Sequence, residues 1–171
     1  NRARLRLLGA VVDKEDGPVS DVAARARMAP AMASKYLREL NARGLLRARR
    51  VSREVRYRLG ADPSLPQAKA LVKALVEVFR QQNDPVSFVF RQVTAFTHFR
   101  RVQIVAAIGD GAVTHSNLSR HTGIPARSLA RHIRKLIDRG VVVISVGGYT
   151  VKKLDNILAR TLVNLARLGG Q

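Results

Sequence analysis

The sequence predicts a mainly α-helical fold with small β-hairpins, built from two copies of one unit joined by helices. Three observations carry that prediction. A stretch of the chain repeats itself without a gap. In both copies the apolar periodicity changes from helical to strand-like at the same point. The charge is concentrated in the two copies and nearly balanced between them.

The repeat aligns residues 20–46 with residues 116–142 at an offset of 96. Identities are few: Ser20/Ser116, Arg38/Arg134, Leu40/Leu136, Arg43/Arg139 and Gly44/Gly140. Their placement matters more than their number, because six further positions are apolar in both copies: Val22/Leu118, Met28/Ile124, Ala33/Leu129, Leu37/Ile133, Leu45/Val141 and Leu46/Val142. Those are the positions that a short helix, a turn and a longer helix must bury.

Each element follows in order. An apolar helix is expected over Arg2–Val12, and its counterpart over His98–Ile108. Ser20 and Ser116 stand where a helix N-cap belongs. Turns follow at Met28-Ala29-Pro30 and Gly123-Ile124-Pro125, where proline suits a helix start that has unpaired N–H groups. The second helix runs to Arg43 or Arg139 and ends at Gly44 or Gly140, since glycine takes the left-handed conformation of a C-terminal cap. The period then becomes two: Leu45–Val51 and Glu54–Leu59 form a hairpin with Ser52-Arg53 at its tip. In the second copy Val141–Val146 and Tyr149-Thr150-Val151 form a shorter one around Gly147-Gly148. Between the copies, Gly60–Pro66 breaks the pattern, Pro66–Gln82 carries a wide apolar stripe, and Asp84-Pro85 signals a further helix start. At the end Leu154, Leu158, Leu162, Leu165 and Leu168 follow heptad-like spacing. The expected division is 1–60, a first domain; 61–96, a helical linker; 97–153, a second domain; and 154–171, a C-terminal helix for dimerisation or packing.

Composition narrows the function. The chain has 171 residues, with 31 Lys+Arg against 12 Asp+Glu for a net charge of +19. Residues 1–59 and 97–171 each carry +9, and residues 60–96 only +1. Such an excess belongs against a polyanion. Without cysteine, disulfides, thiolate metal sites and a cysteine nucleophile are excluded. His98, His115, His121 and His132 have no metal-ligand spacing, and no phosphate-binding or nucleophile-elbow motif occurs, so neither metal, cofactor nor enzymatic activity is expected. Gly109-Asp110-Gly111 reads as a turn. No stretch approaches the ~20 apolar residues of a membrane span, and the basic amphipathic helices, which could otherwise suit an anionic membrane surface, have partners to bury against, so no membrane partner is expected. A chain opening on Asn1 rather than Met is expected to be a piece of a longer protein.

Helix, helix–turn–helix and hairpin, with the junctions Leu40-x-x-Arg43-Gly44-Leu45-Leu46 and Leu136-x-x-Arg139-Gly140-Val141-Val142, resemble the MarR/ArsR-type winged helix-turn-helix family. The resemblance covers about 120 of the residues. It implies two winged helix-turn-helix domains that bind double-stranded DNA, each with a recognition helix for the major groove and a wing beside the minor groove. On a helical wheel the second recognition helix buries Leu129, Ile133, Leu136 and Ile137 and turns Arg127, Arg131 and Arg134 outward, flanked by Ser128 and Lys135. A solvated basic face is the alternative. The first copy offers Lys35 and Arg38 with Ser34 beside them, and His132 aligns with Tyr36 next to the core, a packing role. The first wing holds Arg47, Arg49, Arg50, Arg53 and Arg56, as well as Arg58; the second is Gly-Gly at its tip, with Lys152 and Lys153 at its base. A division of labour is therefore expected: copy one anchors through its wing, and copy two reads sequence through its helix.

The family also implies a homodimer through the linker and C-terminal helices, the alternative being that they pack on their own chain. The expected role is transcriptional regulation, of the repressor type, in the cytoplasm and associated with the nucleoid. Two alternatives stand beside it. Paired winged helices also resemble archaeal winged-helix replication initiators, which bind origins. Tandem winged helices serve as protein–protein scaffolds too, a role the net charge argues against.

Overall fold

Among the residues described by a computed structural model, 1–109, 111 and 113–169, the chain is mainly helical with two small antiparallel sheets. It divides into two compact units, Asn1–Phe90 and Arg91–Gln171.

In the first unit, α1 (Arg2–Asp13) starts under the side chain of Asn1, which accepts from the Ala3 N–H at 2.8 Å. Its Leu7, Leu8 and Val11 share one face, so burying that face removes all three from water. After β1 (Gly17–Pro18) come α2 (Val19–Arg25) and α3 (Pro30–Ala42), whose Val22, Ala33 and Leu37 are fully buried. The hairpin of β2 (Leu46–Val51) and β3 (Glu54–Leu59) closes over them with Leu46 and Tyr57. Strand order is β1-β3-β2, with Gly17 opposite Tyr57 and Leu46 opposite Leu59. α4 (Pro66–Gln81) packs on α1 and buries Ala74, Leu75 and Val78. α5 (Pro85–Thr94) begins in this unit, its first turn capped by the Asp84 carboxylate accepting from the Ser87 N–H at 3.1 Å.

The second unit repeats the order with α6 (Phe99–Ile108), α7 (His115–Thr122), α8 (Ala126–Asp138), β4 (Val142–Ser145) and β5 (Gly148–Val151). Its core is continuous: Ile104, Val105 and Ile108 meet Leu118, Leu129, Ile133 and Leu136, with Val141 and Val142 from the hairpin. Val113 pairs with Tyr149 as Gly17 pairs with Tyr57, a third-strand contact that periodicity did not predict in either copy. Gly148 is required there, because a side chain on it would stand 2.4 Å from the Val113 carbonyl oxygen. Both long helices end alike. Gly44 and Gly140 have φ of +72° and +71°, and the paired bonds Leu45 N–H to Leu40 and Val141 N–H to Leu136 close the last turn. The Asp110 position of the expected Gly109-Asp110-Gly111 turn lies outside the described residues.

Three expectations are corrected. Ser20 and Ser116 are not the N-caps. The Thr114 hydroxyl accepts from the Asn117 N–H at 3.3 Å, which leaves Ser116 inside α7, and α2 begins directly after Pro18 with no side-chain cap. Pro125 is the residue before α8 rather than part of its first turn. The C-terminal helix, α9 (Ile157–Gly169), starts three residues later than expected and fully buries only Leu158 of its leucine series. Leu158, Ala159, Val163 and Ala166 face α6, while Leu162 and Leu165 are half-buried, Leu168 is exposed and Leu154 precedes the helix.

Candidate nucleic-acid interface

α8 is the most polarised helix in its composition. Leu129, Ile133 and Leu136 lock one side into the core, which forces residues 127, 131, 134 and 135 to the other. Arg127, Arg131, Arg134 and Lys135 are all exposed, and their side chains make no ion pair or hydrogen bond with a described residue. Ser128 beside them is half-buried. Four unneutralised cations on one exposed face repel one another, so an anion laid along the face lowers the free energy of the array.

His132 lies at the edge of the buried side and is 6% exposed. Its ring stands 4.5 Å from that of His98, whose Nδ1 accepts the Arg100 N–H at the start of α6. Burial lowers the His132 pKa below the ordinary histidine value, and the nearby His98, Arg101, Arg131 and Arg100 push it the same way. It packs as a neutral ring.

The corresponding face of α3 is sparser. Lys35 is exposed without a partner among the described residues, Ser34 is half-buried, and exposed Arg38 donates from Nε to the Ser34 carbonyl at 3.4 Å. The residue aligned with Lys135 is Glu39, which is held by Arg4 at 2.6 Å. Arg38 stands close enough to Tyr57 to oppose the rise in the phenol's pKa that burial causes.

The first hairpin carries its cations in opposed pairs. Register sets Arg47 across from Arg58 and Arg49 across from Arg56, so strand alternation gathers four guanidinium groups on one face. Like charges directly opposite one another destabilise a ladder. Carboxylates answer part of that charge. Asp16 takes Arg49 in a two-pronged contact, with Nε to Oδ1 at 2.7 Å and Nη2 to Oδ2. That hydrogen bond holds the Asp16 carboxyl below its ordinary value, against a smaller upward pull from desolvation. Asp62 lies 3.9 Å from Arg47, and Glu54 3.4 Å from Arg56. Arg50, Arg53 and Arg58 are exposed with no such partner. The site residues read from the sequence therefore separate into free cations and held ones, with Arg49 the most firmly held.

The second hairpin bears no charge between Gly140 and Val151, and its tip is apolar: Val146 is fully exposed and Ile144 is 73% exposed. Lys152 and Lys153 follow it, both exposed.

Two functional candidates escaped the sequence reading. Asp16 carried no local signal, because its partner is 33 residues away. Gln92 did carry one: it continues the buried stripe of α5 between Val89 and Ala95, where a polar residue is out of place. No described group of His, Asp or Glu side chains is arranged to hold a metal ion, and no described helix is long and apolar enough to cross a membrane. Neither the models of known protein families nor the curated proteins contain a match to this sequence.

Proposed function

We propose that this chain binds double-stranded DNA through two winged helix-turn-helix units and acts as a transcriptional regulator of the repressor type, without a cofactor or a catalytic step. The observation that carries this reading is the exposed face of α8, with Arg127, Arg131, Arg134 and Lys135 free of any partner among the described residues. Arginine forks on the second helix of a helix–turn–helix suit guanine edges in the major groove. Exposed Arg50, Arg53 and Arg58 suit phosphates, which position a protein without reading sequence. The partly exposed Leu162, Leu165 and Leu168 of α9 favour a homodimer through that helix. Such a protein works in the cytoplasm, on the nucleoid.

The test is footprinting on genomic DNA together with a salt titration. Protected sites upstream of promoters support regulation, and protection at an origin transfers the role to replication initiation. With about 8 phosphates neutralised, affinity should fall on the order of a thousandfold between about 50 and 200 mM salt. Salt-insensitive target binding and no protected site would overturn the reading. The exposed Ile144 and Val146 favour one rival, a protein–protein scaffold, and that outcome would revive it.

A further inference from the structure

The second unit holds a polar cavity of about 300 Å³ in which α5, the last turn of α8 and the segment between β5 and α9 meet. We propose that this cavity is a binding site for a small organic anion carrying a carboxylate or phosphate, separate from the exposed face of α8. The inference goes beyond duplex binding and does not depend on it.

Three features converge on that ligand. Arg91, Arg139, Lys152 and Lys153 line the cavity, and none of these side chains has an ion pair or hydrogen bond with a described residue. Asp138 and Asp155 line it as well, equally without a partner, so the walls carry an excess of two positive charges. The carboxylates leave acceptors for a hydroxyl or amine on the same ligand. Gln92 is the second feature. It is 8% exposed, it lines the cavity, and its side chain makes no hydrogen bond to a described residue. The Gln92 amide is open to the cavity rather than sealed from it, so a ligand there can bond it. The third feature is the start of α9. Asn156, whose Oδ1 accepts from the Ala159 N–H at 2.7 Å, lines the cavity, which brings the positive end of a 13-residue helix to its rim. The opposite pole, the C-terminus of α8, is muted because its last carbonyls are bonded to the Gly140 and Val141 N–H groups. The volume suits a molecule of a few carbons rather than a polymer.

The chain itself, without DNA, is titrated calorimetrically with citrate and with pyrophosphate at constant ionic strength. One probe molecule per chain should bind saturably; the probe that binds more tightly identifies the ligand as carboxylate or phosphate. R139Q/K153Q and Q92L should each weaken binding by about tenfold or more, as removal of a charged or buried polar partner does. R127Q/R131Q should leave it unchanged. In addition, Q92L should raise the Tm of the ligand-free chain, since leucine suits the buried stripe. Three results would overturn the proposal: neither probe binds saturably; R127Q/R131Q weakens binding as much as the cavity variants; or Q92L lowers Tm, which would make the amide a structural group.

Discussion

Residues 1–59 and 97–171 carry the same net charge, +9, and spend it differently. In residues 1–59 four of the six carboxylates are drawn into ion pairs: Asp16 with Arg49, Asp21 with Arg25 and Lys14, Glu39 with Arg4 and Arg43, and Glu54 with Arg56. No ion pair joins two described residues of the second unit, and no described carboxylate answers the cations of α8 or of the segment after β5. The cations also sit on different elements, the hairpin in the first unit and the helix in the second. Net charge counted from sequence therefore overstates the first unit as a polyanion partner and understates the second. What a polyanion meets is the uncompensated charge and the element that presents it.

Substitutions can break that comparison, and the largest effect is expected on α8. R127A/R131A should cost about 1–3 kcal/mol for each base edge no longer read and relax base preference, whereas K35A/R38A should cost less; binding to a footprinted site and to random duplex measures both. Equal weakening on specific and random DNA would remove the division of labour between the units.

Next comes the first hairpin. R50A/R53A should weaken all duplexes alike and lower the salt slope by about one for each phosphate left unneutralised. Arg49 sharpens the point, because its guanidinium is already occupied. D16N should free it, tightening binding to any duplex a few-fold and steepening the salt slope. If D16N leaves both unchanged, Arg49 stays out of the interface even when released.

The smallest effect is on stability and depends on pH. His132 has a lowered pKa in the folded unit, so the unfolded chain protonates first as pH falls through about 6.5. Stability of the second unit should decline from there until the pH passes the lower folded value, below which the decline stops. H132Y, which installs the residue found at the aligned position 36, should flatten that decline in Tm measured between about pH 7.5 and 5.5. An unchanged slope would mean that another group governs it.

Sequence alone was enough for much that depends on neighbours within about four positions, though not for the helix starts at Pro18, Thr114 and Pro125. The duplicated order of elements, the glycine stops at Gly44 and Gly140, the Ser52-Arg53 turn, the Asp84 cap and the outward side of α8 are all set by local sterics and period, and the structure has each of them. Other features needed the folded chain. Asp16 meets Arg49, Val113 meets Tyr149, and α9 buries Ala159, Val163 and Ala166 beside Leu158. Each joins segments distant along the chain, where burial and charge pairing depend on which surfaces the packing brings together, and no periodicity records that.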